Sequence, residues 1–158
     1  MTEEVEVESY LEDPEKYVVT LTAKLNESGY VRSNNNPWPQ YVYVGDDNDN
    51  ISMQGFVTFD ISDIPDDAEI AKVVVDLSDY STPYGTPFDD FGCLRIYVDD
   101  YGSLDGGDYY DATPSGSIGR YCSMEEIDDP AEDDDFKDAL QDKVGANRFQ
   151  LRFQFNEV

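Results

Sequence analysis

Residues 55–77, GFVTFDISDIPDDAEIAKVVVDL, decide the fold of this chain. The stretch opens with the strand-like run FVTFD and passes through a short polar segment that contains Pro65. It then alternates, so that Val73, Val75 and Leu77 fall on one side and the residues between them fall on the other. Alternation with a period of two is typical of a half-buried β-strand. Two such strands joined by a polar connection predict an all-β domain.

Other segments of the chain also have the composition of strands. We expect strands at residues 17–25, 30–32, 41–44, 93–99, 118–123 and 148–155. The last of these alternates most clearly, with four apolar residues predicted to face the core. Its intervening residues Gln150, Arg152 and Gln154 are predicted to face solvent.

One helix is predicted near the C-terminus. Asp129 can cap it and Pro130 suits its first turn. An apolar stripe through Phe136 and Leu140 would lie on the sheets, and Gly145 would end the helix. The whole pattern predicts an all-β fold, a jelly-roll-like β-sandwich with one short helix near the C-terminus.

The length of 158 residues fits one domain, which we place at residues 17–158. Residues 1–16 form an acidic N-terminal segment, which is expected to be either a flexible tail or a peripheral strand around Val5 and Val7. No internal repeat is visible.

The charge balance limits the partners of the chain. Ten lysines and arginines stand against 36 aspartates and glutamates, which gives a net charge of −26. Nucleic acids and anionic membrane surfaces would be repelled, so neither is expected as a partner. No apolar stretch approaches the length of a membrane-spanning helix, and we expect no membrane insertion. The acids suit a solvated surface, or an environment rich in salt or divalent ions.

The location is predicted from composition. Many Tyr, Asn, Asp, Gly and Ser residues are more typical of extracellular β-modules than of cytosolic enzymes. Residues 1–4 lack the basic and apolar parts of a secretion signal. We nevertheless expect an extracellular or cell-surface location from the composition, because a secretion signal can be removed from the mature protein.

The absence of histidine bears on chemistry. Without it a Ser-His-Asp or Cys-His mechanism has no base, and a zinc site of Cys and His ligands is excluded. No pair of carboxylates is singled out for glycoside hydrolysis, so we expect no enzyme. Cys93 and Cys122 can form one disulfide in an oxidising compartment, or remain two free thiols.

The central stretch also resembles a known family. Residues 59–61 (FDI), 64–65 (IP) and 68–73 (AEIAKV) resemble the core pattern of the DNRLRE domain family, which is similar to an alginate-binding carbohydrate-binding module family. The resemblance implies a β-sandwich that binds polysaccharide. Two positions depart from the pattern, because Thr58 and Gln54 stand where the family often has arginine.

The resemblance also raises a question about the last strand. Family members usually continue past the position of Phe155 to a final strand, whereas this chain has only three more residues. Either the last strand is missing from this sequence, or another segment fills its place in the sheet. One hypothesis is that the segment of Val5 and Val7 pairs beside strand 148–155, within the chain or between subunits, as in assembly by strand addition.

Aromatic residues in loops are the candidate ligand site. Trp38 lies between Pro37 and Pro39, a rigid setting in which a ring can stack on a sugar or, alternatively, can pack over one end of the sandwich. Tyrosines in other loops could share such a surface; they are Tyr84, Tyr101, Tyr109 and Tyr110.

A calcium site is a further candidate. Asp46, Asp47, Asn48 and Asp49 offer closely spaced oxygen ligands for a structural Ca²⁺ ion. The run lacks the Gly and the final acid of an EF-hand loop, so a solvated turn is the alternative.

These observations lead to two functional hypotheses. The first is a non-catalytic extracellular or cell-surface module that binds carbohydrate or mediates adhesion. The alternative is a structural subunit of a surface layer, filament or virion, assembled through strand addition.

Overall fold

The structure, a computed structural model, describes residues 2–8, 16–82, 85–111 and 115–155, with side chains from residue 18 onward. Its strands are β1 (Thr2–Glu8), β2 (Lys16–Thr22), β3 (Gly29–Arg32), β4 (Pro37–Pro39), β5 (Gly45–Asp46), β6 (Ser52–Asp60), β7 (Glu69–Asp76), β8 (Leu94–Val98), β9 (Gly119–Tyr121), β10 (Ala131–Glu132) and β11 (Arg148–Phe155). Its helices are α1 (Pro87–Phe91), α2 (Met124–Ile127) and α3 (Asp134–Lys143), with 3₁₀ turns at Leu25–Glu27 and Gly106–Asp108. In the part of the chain that is described, no helix is long and apolar enough to cross a membrane.

The strands form two antiparallel sheets. The first has the order β10-β7-β1-β2, and the second has the order β4-β3-β6-β11-β8-β9, with β5 added to β6. The fold is therefore mostly β-strands in antiparallel sheets with a few short helices, as the sequence predicts at this level.

Strand β1 lies inside the first sheet. Val5 pairs with Val19 of β2 on one side and with Val73 of β7 on the other. The expectation of a flexible tail or a peripheral strand is therefore wrong for Thr2–Glu8, because both edges of β1 are used in backbone ladders. The division of the chain between residues 16 and 17 stays a prediction.

Strand β11 has no vacant edge. It pairs with β6 through contacts such as Leu151 with Val57, and with β8 through contacts such as Phe153 with Ile96. The hypothesis that the Val5 segment fills a missing place beside β11 is therefore wrong. Residues 94–98, which are recognisable as a strand from their sequence, occupy that place.

One apolar cluster joins the two sheets. The central stretch contributes Val57 and Phe59 from the second sheet and Val73 and Val75 from the first, all almost fully buried. Helix α3 adds Phe136 and Leu140. The alternation on which the fold prediction rests thus describes the core correctly.

Helix α3 begins later than predicted. The carboxylate of Asp133, and not that of Asp129, caps it by accepting a hydrogen bond from the backbone N–H of Phe136 at 2.9 Å. The two residues before the cap, 131 and 132, are drawn into a short ladder with Val75 and Val74 of β7. Gly145 follows the helix with φ +96°, which agrees with its predicted role as a stop. Helices α1 and α2 were not predicted.

The predicted strand at residues 41–44 is also wrong. Strands β4 and β5 lie on either side of it, while the segment itself crosses over the face of β6 at Gly55. A Cβ atom on Gly55 would lie 2.9 Å from methyl carbons of both Val42 and Val44. Val42 and Val44 of this segment therefore pack onto the sheet, and the segment is not a strand within it.

Residues 99–111 form a strap over the outer face of the second sheet, the face that carries Gln54 and Gln150. The Gln150 amide accepts from Gly102 N at 2.9 Å and donates to Gly102 O at 3.0 Å. The Gln54 amide likewise accepts from Tyr110 N at 2.9 Å and donates to Tyr110 O at 2.8 Å. The prediction that Gln150, Arg152 and Gln154 face solvent is therefore wrong, since all three are buried.

Candidate functional site

An aromatic surface lies at the β4 edge of the second sheet; we use this name for Tyr30, Trp38 and Tyr43. Tyr30 and Trp38 are register partners on β3 and β4, and their rings are parallel, with centroids 6.3 Å apart and 4° between the planes. The ring of Tyr43 meets that of Tyr30 edge-on at 5.2 Å. Trp38 is 47% exposed and Tyr43 is 48% exposed, so two rings of this cluster remain open to solvent. Tyr41, which is 60% exposed, lies in the same segment as Tyr43.

The two prolines hold Trp38 without weakening its strand. Asn36 O accepts from Arg32 N at 3.1 Å, and Gln40 N donates to Ser28 O at 2.7 Å. Residues 36, 38 and 40 therefore face β3, while residues 37 and 39 direct their backbone groups away from it. Proline at 37 and 39 thus costs no ladder hydrogen bond and fixes φ on either side of the tryptophan.

The aromatic surface lies in a run of the sequence that is almost free of charge. Residues 28–45 contain no aspartate or glutamate, and this is the longest such run in a chain with 36 acids. Arg32 is the one basic residue in the run, and its guanidinium forms an ion pair with the Asp47 carboxylate. Exposed amide side chains lie beside the rings in sequence; they are Asn34, Asn35, Asn36 and Gln40. The site therefore offers aromatic faces and neutral hydrogen-bonding groups.

Asp47 closes the loop beside this surface. One of its oxygens accepts the backbone N–H groups of Asp49 at 2.9 Å and Ile51 at 3.0 Å, and the other contacts Arg32. Partial desolvation opposes ionisation of Asp47, but the hydrogen bonds from Ile51 and Asp49 and the nearby guanidinium hold its pKa below the usual range. The carboxylate has a structural role that the sequence analysis did not assign to it.

The calcium site at Asp46–Asp49 stays a prediction. Asp47 already uses both carboxylate oxygens, as described above. The Oδ1 atom of Asp46 is buried without a hydrogen-bond partner among the described residues. Within those residues, no three Asp, Glu, His or Cys side chains are grouped closely enough to hold a metal ion.

Tyr101 and Tyr109 lie away from the aromatic surface. The Tyr101 ring packs against Phe56, whereas Tyr30 lies opposite Gly55; neighbouring residues of one strand point to opposite faces of the sheet. The Tyr101 hydroxyl donates to Glu27 O at 2.8 Å, and burial raises its pKa to about 12. The Tyr109 hydroxyl is hydrogen-bonded to Ser52 Oγ at 2.6 Å. Both tyrosines hold the strap on the sheet.

Tyr84 lies outside the described residues. Tyr110 is 42% exposed, and its ring covers the Arg152 guanidinium at 4.5 Å. Arg152 also contacts Asp99 at 2.6 Å, so it is fully engaged inside the molecule. Of the predicted ligand residues that are described, only Trp38 belongs to the aromatic surface.

Sequence reasoning missed Tyr30 and Tyr43. The available signal was the turn Ser33–Asn36, because a hairpin about this turn places residue 30 opposite residue 38. Tyr43 carried no comparable signal, since its contact depends on a segment that crosses the sheet.

Cys93 and Cys122 form a disulfide, with Cα atoms 4.2 Å apart. The two residues flank the paired strands β8 and β9, in which Leu94 is opposite Tyr121. The bridge therefore fastens the short edge strand β9 to the sheet.

Comparison with protein-family models, curated proteins and solved structures finds no match to this chain. The DNRLRE resemblance therefore stays a prediction. The positions where that family often has arginine, Thr58 and Gln54, are both buried beneath the strap in this protein.

Proposed function

We propose that this protein is a non-catalytic β-sandwich module of jelly-roll type that binds carbohydrate through Tyr30, Trp38 and Tyr43. The observation that supports this proposal is the set of parallel Tyr30 and Trp38 rings, with Trp38 and Tyr43 exposed, in the longest acid-free run of a strongly acidic chain. Large rigid aromatic rings provide contact area at a low cost in conformational entropy. The exposed amides nearby supply hydrogen bonds of the kind that sugar hydroxyls need.

An uncharged glycan suits this surface best. The one cation in the run, Arg32, is already paired with Asp47, and the net charge of −26 disfavours anionic ligands. The uronate polymer implied by the family resemblance is therefore a poorer candidate than a neutral polysaccharide. An extracellular or cell-surface location is part of the proposal, and the disulfide of Cys93 and Cys122 supports it.

The experiment is a glycan array followed by calorimetric titration of the best neutral oligosaccharide. Trp38→Ala should weaken binding by about 30-fold, the equivalent of about 2 kcal/mol for a central aromatic contact. Tyr80→Ala is the matched control, because it removes a ring that is 39% exposed elsewhere on the molecule. Absence of binding to any glycan, or unchanged affinity of Trp38→Ala, would refute the proposal.

A second candidate function is a structural subunit that assembles through strand addition. Neither β1 nor β11 can take part, because both are paired on each side within the chain. The observation that favours this function is the open edge of β2, from which the next inference follows.

A further inference from the structure

The ends of the two sheets differ in how they are protected. Strand β4 has only three residues, two of them proline. Strand β9 also has three residues and is tied down by the disulfide, and β10 has two. Short strands and prolines are among the usual means of preventing edge-to-edge pairing. In the described chain, β4, β9 and β10 are therefore short edge strands, as is the two-residue β5 that is added to β6.

The fourth end, β2, has no such protection. It is seven residues long, KYVVTLT, with neither proline nor acid, and in the described residues it pairs only with β1. Val18 is 63% exposed, the largest exposed fraction among the large apolar side chains that are described. After β2 the chain leaves this edge, because Lys24 N donates to Thr58 O of the second sheet at 2.8 Å. The free edge is therefore confined to Lys16–Thr22.

We propose that β2 pairs antiparallel with β2 of a second copy of this chain, about a two-fold axis at Val19. In this register Tyr17 lies opposite Leu21 and Val19 lies opposite itself, so no charged residue falls at these alternate positions. On the other face Val18 lies opposite Thr20, a pair of β-branched side chains that suits a sheet. Lys16 lies opposite Thr22, so no like charges meet. A two-fold contact needs one self-complementary edge, which β2 provides.

Charge decides how strong this pairing can be. Each copy carries a net charge of −26, and β1, directly behind β2, contains four glutamates. The two β1 strands of a dimer would be three strand spacings apart, about 14 Å. That distance exceeds the Debye length of about 8 Å at physiological ionic strength, so salt screens the repulsion. A single strand pair is also smaller than a standard interface, and we expect a weak dimer that salt strengthens.

Sedimentation velocity over a range of concentrations at low and high NaCl tests the proposal. The wild-type protein should shift from monomer towards dimer as salt rises. The double variant V18K/T20K should abolish the shift, because it places lysines opposite each other across the two β2 strands. Each copy of this variant has a smaller net negative charge, so loss of the dimer could not be attributed to greater overall repulsion. Leu25→Lys is the matched control, since it places a lysine at an apolar residue that is 57% exposed beyond the edge. Circular dichroism checks that each variant is folded.

Cysteine cross-linking tests the register. Val19→Cys should give a covalent dimer under mild oxidation, because facing residues of antiparallel strands lie within disulfide distance. Thr22→Cys should not, because residue 22 faces residue 16 of the second copy. A protein that is monomeric at all salt concentrations, a dimer that V18K/T20K leaves intact, or equal cross-linking at both positions would overturn the proposal. None of these outcomes depends on glycan binding.

Discussion

The strongest test of the structure is to replace Gln150, which holds the strap to the second sheet. Its side chain is 6% exposed and forms three hydrogen bonds within the molecule. Its Nε2 donates to Thr58 Oγ1 and to Gly102 O, each at 3.0 Å. Its Oε1 accepts from Gly102 N at 2.9 Å. Gln150→Leu keeps the approximate size of the side chain and removes all three bonds.

The expected effect follows from the number of bonds. At about 1 kcal/mol for each hydrogen bond, Gln150→Leu should lower the free energy of unfolding by about 3 kcal/mol. Gln54→Leu removes only the two bonds to Tyr110 and should cost about 2 kcal/mol. The two variants therefore form a graded pair in the same buried polar layer.

Urea denaturation gives the free energies, and amide hydrogen exchange gives the location of the effect. Exchange at Gly102 should accelerate in Gln150→Leu, and exchange at Tyr110 should accelerate in Gln54→Leu, because each backbone N–H loses its acceptor. A loss below about 1 kcal/mol in Gln150→Leu, with unchanged exchange at Gly102, would show that the strap is not held in this way.

Three further outcomes are expected. Burial raises the pKa of Tyr101 to about 12 in the folded protein, whereas the phenol of the unfolded chain ionises near pH 10. The free energy of unfolding should therefore fall by about 2 kcal/mol as the pH rises from 10 to 12, with partial solvent screening taken into account. Equilibrium unfolding measured across this range should lose that slope in Tyr101→Phe. Cys93 and Cys122 are 29 residues apart, and replacing both with serine should lower the free energy of unfolding by about 3.6 kcal/mol if the disulfide acts by restricting the unfolded chain. Thermal denaturation measures the loss, and a much smaller value would contradict this explanation. Gly55→Ala should cost about 1–3 kcal/mol in urea denaturation, because its Cβ would press on segment 41–44, and an unchanged midpoint would contradict that packing.

The parts of the fold that the sequence predicted are those with a clear hydrophobic period. Strands β6, β7 and β11 each place alternate apolar residues in one buried cluster. Helix α3 was found from the spacing of Phe136 and Leu140. In β7 and α3 local periodicity and burial agree. In β6 and β11 the pattern predicts the strand and its core-facing row, but not the burial of the other row.

The aromatic surface was only partly predictable. Trp38 stands out between its prolines, but its neighbour Tyr30 is brought there by hairpin register, which depends on the turn between them. The contact of Tyr43 depends on how segment 41–44 crosses Gly55. Valines alternate with tyrosines in segment 41–44, and the same alternation is expected of a strand within a sheet and of an extended segment that packs onto a sheet. Local pattern alone cannot distinguish these two arrangements.

The outer face of β11 was misjudged because side-chain polarity indicates hydrogen-bonding capacity and does not by itself indicate exposure. Gln150, Arg152 and Gln154 read as solvent-facing, yet Gln150 binds a strap backbone and Gln154 accepts from Arg152 Nε at 2.9 Å. The backbone groups of the strap that face the sheet need hydrogen-bond partners, and an amide side chain supplies one donor and one acceptor. A polar row beneath a long loop is therefore what a covered sheet face requires. The tyrosines of this loop serve the same purpose, since the hydroxyls of Tyr101 and Tyr109 form hydrogen bonds to Glu27 and Ser52.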